Sequence, residues 1–167
     1  MAQKDLLLRE KLDYSGVFNF SGLYKYMYNW LNNEEDYGVI EEKYSEKISG
    51  NSKGITIDWA CTKKMGSYFK VEIKITIEAS DLVEVEVETD GAKKKMQKGK
   101  VSVTFKGFLV KDPSSDWEGK PFDTFLRGWY DKFVIPQTID TMEQKVHMDV
   151  KGLKDDIKAY LELSGKR

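Results

Sequence analysis

From Phe69 the chain alternates between apolar and polar side chains. Phe69, Val71, Ile73, Ile75 and Ile77 fall on one parity, and Lys70, Glu72, Lys74, Thr76 and Glu78 on the other. A period of two marks a strand with one buried and one wet face. β-branched residues on the apolar parity suit a pleated surface. Ala79-Ser80-Asp81 reads as a turn, after which Val83, Val85 and Val87 resume the inner parity against Glu84, Glu86 and Glu88. Asp90-Gly91 is a hairpin signal. A third strand turns Val101, Val103 and Phe105 inward, and Gly107 interrupts its phase as a bulge would, ahead of Phe108. Tyr68 to Val110 is therefore expected to supply three antiparallel strands.

Leu6, Leu8, Leu12 and Tyr14 share a parity, which predicts a first strand over Leu6–Phe18, with a short helical turn as the competing reading. Ser21 is placed to cap a helix, with Phe20 as its hydrophobic staple. Leu23, Met27, Trp30 and Leu31 then recur at helical spacing, giving a helix from Gly22 to Asn32. Val39–Ile48 reads as a strand with Ile40, Glu42, Tyr44, Glu46 and Ile48 on one side. Its glutamates dilute the alternation, so one end is expected to project beyond the core. Gly50–Gly54 is a hairpin loop, and Ile55, Ile57, Trp59 and Cys61 make the next strand.

The last third is helical in pattern. Pro121 suits a first helical position, and Phe122, Phe125, Leu126, Trp129 and Phe133 form an aromatic stripe. A second stripe runs through Ile139, Met142, Val146, Val150, Leu153, Ile157, Tyr160 and Leu161. At about 100° per residue the two stripes are centred roughly 120° apart. One straight helix cannot bury both, so a proline break is expected at Val134–Pro136. Residues 143–150 also alternate like a strand; the length of the second stripe favours helix.

The fold class that results is α+β in a single domain over residues 1–167. An antiparallel sheet of about six strands, curved, carries an early helix and a long, Pro-broken C-terminal helix on its apolar face. A sheet face of this kind must be covered, and the terminal helix has the length to do it. This order of elements resembles the helix-grip fold of START and Bet v 1-like domains over nearly the whole chain, Leu6 to Leu163. The resemblance rests on element order, with no motif match, and carries over no functional residue. It implies a ligand held between the sheet and the terminal helix.

Composition narrows the function classes. The chain has 167 residues, of which 40% are hydrophobic and 33% charged, with a net charge of −1. The lysines around the Asp90-Gly91 turn (Lys93, Lys94, Lys95, Lys98 and Lys100) face the glutamate row, so cross-strand ion pairing explains them. A grip on nucleic acid wants a basic surplus, which this chain lacks. No apolar run is long enough to cross a bilayer, and Leu6-Leu7-Leu8 is too short for a secretory signal. One cysteine, Cys61, excludes an internal disulfide and fits a reducing, cytoplasmic setting. Its parity with Ile57 and Trp59 predicts a buried, inert thiol, and the single histidine, His147, offers no paired base. Asp112, Asp116 and Glu118 lack the spacing of a Ca²⁺ loop, so no metal or cofactor is expected.

No converging acid–base set is recognisable, which favours binding over catalysis. The first expectation is a binding protein for a small apolar or aromatic ligand, with Tyr28, Trp59, Phe69, Phe105 and Trp129 as candidate lining residues. The alternative is a protein-interaction or self-association module with a solid core. Two apolar helix stripes out of phase exceed what one sheet face covers, and exposed apolar surface marks partner sites.

Overall fold

The structure, a computed structural model, describes residues 3–65, 69–111 and 135–165. The aromatic stripe of residues 122–133, Trp129 included, lies outside them. Within them the chain is α+β: strand β1 (Gln3–Phe18), helix α1 (Phe20–Asn29), a π-helical turn (Trp30–Glu34), strands β2 (Gly38–Ser49), β3 (Ser52–Met65), β4 (Phe69–Thr89) and β5 (Ala92–Lys111), and helix α2 (Ile135–Gly165). All neighbouring strands are antiparallel, in the order β1-β5-β4-β3-β2. The α1 connection thus carries the chain from one edge of the sheet to the other.

Among the described residues the sheet has five strands, not six. The expected turn at Ala79-Ser80-Asp81 is a bulge inside one 21-residue strand, β4, with the register to β5 slipping between Ser80 and Val83. Asp81 takes up the strain at φ 55°, a left-handed conformation that Asp tolerates better than most residues. Gly99 lies across from it, where a Cβ would meet the carbonyl oxygens of Ser80 and Asp81 at 2.8 and 2.9 Å. A bare backbone at Gly99 lets the bulge fold in, so β4 continues where a turn was expected. The extra residue reverses parity. Leu82 is buried, Val83 is 39% exposed, and Glu84 turns to the inner face in place of the valines. The true reversal is at Asp90 (φ 52°) and Gly91 (φ 78°), the two left-handed positions of a type I′ turn.

The expected bulge at Gly107 is also displaced. β5 keeps its register with β4 through Gly107, and the irregularity sits opposite, in β1 between Leu6 and Leu8. This leaves Leu6 57% exposed while Leu8 and Leu12 face the core. Gly107 serves close packing. A Cβ there would meet Leu8 Cδ2 and Val146 Cγ1, each at 2.6 Å, so α2 presses on the sheet at this point. Gly107→Ala should therefore lower stability by about 1–3 kcal/mol through overpacking. In the Val146→Ala background the same change should cost less, a coupling that chemical denaturation of the four variants reads directly.

The core is the inner sheet face with α1 and α2 laid across it. Phe69, Val71, Ile73, Ile75 and Ile77 are all at 2% exposure or less, as are Val101, Val103 and Phe105. α1 buries Leu23 and Met27, and the π-turn buries Trp30 and Leu31. Its cap is Asn19 rather than Ser21; the Asn19 side chain accepts from the Gly22 N–H at 3.0 Å. α2 buries Val146, Val150, Leu153, Ile157 and Leu161 along one stripe, each contributing about 1.5–3 kcal/mol by burial. The helix is unbroken over Ile135–Gly165, so residues 143–150 are helical. Pro136 sits in its first turn, where the missing N–H costs no intrahelical bond, and a proline break within it is not seen. No helix among the described residues is long and apolar enough to cross a membrane.

Candidate functional site

Paired residues on the sheet line up into rows across the strands. One inner-face row runs Glu10, Phe105, Ile75, Trp59, Glu41, from β1 to β2. Its apolar middle is buried, and its two glutamates are caught by the helices. Glu10 accepts from Lys154 Nζ of α2 at 3.0 Å. Glu41 Oε1 accepts from the Tyr24 hydroxyl of α1 at 2.9 Å and from Trp59 Nε1 at 3.4 Å. Tyr24 and Tyr28 lie edge-on to the Trp59 ring, with centroids 5.0 and 6.3 Å away. Trp59 is therefore the wedge that sets α1 above β3.

The sequence-derived residues are distributed unevenly around this wedge. Tyr28 and Trp59 meet, and Phe105 stands in the same row. Trp59 and Phe105 are fully buried and Tyr28 is 40% exposed. Phe69 is buried six residues along β4 from Ile75, roughly 20 Å by strand rise, so it does not join them. Trp129 lies outside the described residues.

The space beneath α2 is filled by Leu8, Leu12, Val146, Val150, Leu153 and their neighbours. A groove of about 420 Å³ opens instead at the far end of the inner face, under the start of α1. Its apolar lining is Phe20, Tyr44, Ile48, Ile55 and Leu82; Ser21, Asn51, Ser52, Lys53, Glu84 and Gln97 complete the wall. Gln97 Oε1 accepts from the Phe20 N–H at 2.9 Å, which ties the helix start to β5. Lys53 is paired with Glu46, so that cation is neutralised at the rim. Tyr44 and Ile48 remain 52% and 73% exposed. Sequence reasoning placed both on one parity of an acidic strand but missed the groove. The signal was there: two large apolar residues four apart in a strand whose other inner position, Glu46, could not enter a core.

A second polar feature is buried. Asp149, 6% exposed, lies inside the apolar stripe of α2. Its Oδ2 accepts from the Tyr37 hydroxyl at 2.6 Å and its Oδ1 from Lys145 Nζ at 3.0 Å. Lys145 also reaches Glu35 Oε2 at 3.2 Å. Burial first, and then the bond to Asp149, push the Tyr37 hydroxyl well above the usual tyrosine range. The bond to Asp149 is the main cause that raises Lys145. These bonds fasten α2 to the residues between the π-turn and the start of β2.

Cys61 is fully buried, and burial, aided by Glu72, pushes its thiol up to about 12. In the unfolded chain the same thiol ionises near 9.0. A raised folded-state value means that its stabilising contribution is intact below about pH 9 and is lost as pH rises toward about 12. Tyr37 acts with the same sign, starting near its ordinary 10.0. Denaturation midpoints should therefore fall steadily above pH 9, and Cys61→Ala should flatten the first part of that slope. At neutral pH the thiol should resist a disulfide reagent until the chain is unfolded. Comparison with protein-family models, with curated proteins and with solved structures finds no match to this chain.

Proposed function

We propose that the protein is a non-catalytic binding protein that holds a small apolar or aromatic ligand in the groove between the start of α1 and the β2–β3 hairpin. The observation that carries this reading is the exposure of Tyr44 and Ile48 at the mouth of a groove of about 420 Å³ with mixed polar and apolar walls. Small-molecule sites fall in the range of roughly 300–1,000 Å³ and combine apolar walls with a few polar groups. The lining joins aromatic and aliphatic walls to the Ser21 and Ser52 hydroxyls, a lysine neutralised by Glu46, and Glu84, whose carboxylate lies 4.0 Å from Lys95 Nζ. It suits a ligand with an uncharged polar end. The relation to the helix-grip fold belongs to this reading, with the site moved from beneath the terminal helix to the flank of α1, and so does cytoplasmic residence.

N-phenylnaphthylamine, a neutral aromatic fluorophore, tests the site. Saturable fluorescence gain is expected, weakened about tenfold by Ile48→Glu, which removes an apolar wall and introduces a charge. Ile48 is 73% exposed, so the folded state should change by no more than about 0.5 kcal/mol. Absence of saturable binding, or binding indifferent to Ile48→Glu, would refute the proposal. The protein-interaction alternative draws on the same exposed strand, β2, and takes a specific form there.

A further inference from the structure

β2 ends the sheet, with β3 on one side and no strand on the other among the described residues. A long edge strand with exposed apolar side chains is a template for another strand. In β2, Ile40, Tyr44 and Ile48 are 62%, 52% and 73% exposed. Its register with β3 slips between Glu41 and Lys43 and is then regular from Lys43 to Ser49. Ser49 pairs with Ser52 across the Gly50-Asn51 loop, with Gly50 at φ 61°. The closing pair of such a tight hairpin is hydrogen-bonded. Alternation then gives the backbone groups of Lys47 and Ser45 to β3. Those of Ile48, Glu46 and Tyr44 face outward.

We infer that the regular stretch Lys43–Ser49 pairs with the same stretch of a second copy, antiparallel about a two-fold axis at Glu46, joining two sheets into one. The stretch is self-complementary in this register. On the groove face Tyr44 lies beside the partner's Ile48, and Ile48 beside the partner's Tyr44. On the other face Lys43 meets the partner's Ser49, and Ser45 meets the partner's Lys47. Glu46 meets its own copy, each carboxylate already neutralised by Lys53. A slip of one residue would set inner against outer side chains. A slip of two, to an axis at Ser45, would oppose Lys43 to Lys47, a like-charge pair that destabilises. The contact also joins the two grooves, because Tyr44 and Ile48 line each of them. A strand-only contact is small, so the dimer forms at micromolar or higher concentration.

Sedimentation equilibrium of the full chain, from micromolar to millimolar concentration, tests the inference. A monomer–dimer equilibrium is expected. Ser45→Glu, which creates two pairs with Lys47, should tighten it about fivefold, and Ser45→Lys should weaken it by about as much. Ser45 is exposed on an edge strand, so neither change threatens the fold. In a Cys61→Ala background, Glu46→Cys should give a disulfide-linked dimer under mild oxidation, since hydrogen-bonded partners stand about 5.5 Å apart at Cα. Lys158→Cys on α2 should not. A monomer at every concentration overturns the inference. So does a dimer indifferent to the charge at Ser45, or a monomer that instead takes up an unrelated extended peptide.

Discussion

Lys145→Met should lower the unfolding free energy by about 3 kcal/mol, because it leaves the Asp149 carboxylate buried with the Tyr37 hydroxyl as its one remaining polar partner among the described residues. The figure is at the low end for a broken buried pair because Lys145 keeps 35% of its side chain in solvent. Tyr37→Phe should cost about 2 kcal/mol, since a hydrogen bond to a charged group is lost and Lys145 remains in place. The cluster then makes a sharper forecast than either single change. Tyr37→Phe, Lys145→Met and Asp149→Leu together remove every member that depends on another within the core. Replacing a whole buried ionic set with apolar side chains is often close to neutral, so the triple variant should be more stable than Lys145→Met alone. Guanidinium unfolding of the series, with the slope checked for constancy, decides it. A triple variant weaker than the sum of its parts would mean that the cluster fastens α2 by geometry that packing cannot replace.

The fastening explains why the sequence was legible along α2 and less so elsewhere. The stripe from Val146 to Leu161 stood out because one helix face packs on one surface, and every described member is buried or half-buried. The alternation from Phe69 to Ile77 was equally plain, since both neighbours, β3 and β5, hold it in the middle of the sheet. Failure began where one residue changes parity. Ala79-Ser80-Asp81 carries turn chemistry, yet whether such a segment reverses the chain or only kinks it depends on its neighbour across the ladder. Here that neighbour includes Gly99, twenty residues on by sequence separation from Ala79. No local pattern holds that information. The same holds for β1: the expected bulge was in the strand of Gly107, ahead of Phe108, whereas the irregularity lies in the neighbouring strand, between Leu6 and Leu8. Asp149 is the opposite case. An acid three residues after Val146 and one before Val150 sits within the stripe, and a buried acid requires partners; the requirement was readable, although Tyr37, 112 residues away, was not.

The candidate site follows the same division. Trp59 and Phe105 were found by parity, and parity reports burial; it does not separate a core side chain from one that lines a cavity. Tyr44 and Ile48 shared a parity with Glu42 and Glu46, and the bulge near Glu42 moved the later residues to the inner face together. Exposure of that face depends on where the helices stop. α1 begins at Phe20, tied down by Asn19 and Gln97, and no helix among the described residues covers the β2–β3 hairpin beyond it.

Trp59→Ala is the second large forecast, at about 3–5 kcal/mol for truncating a fully buried aromatic residue. The loss should not stay local. Trp59 carries the edge contacts of Tyr24 and Tyr28 and donates to Glu41, which Tyr24 also holds. Without the indole, α1 loses its wedge against β3 while its Asn19 cap and its contact with Tyr160 remain. The helix should then open more often while α2 stays docked. Hydrogen exchange would show this as lower protection over α1, with protection along Val146–Leu161 nearly unchanged. Trp59→Phe refines the point. It keeps a ring for Tyr24 and Tyr28 to pack on but cannot donate to Glu41, so it should cost about 1–2 kcal/mol and leave α1 protected. Because Phe20 and Ser21 at the start of α1 form one wall of the groove, fluorophore binding should fall in Trp59→Ala and survive in Trp59→Phe. Equal loss in both would shift the role of Trp59 from spacing the helix to anchoring Glu41.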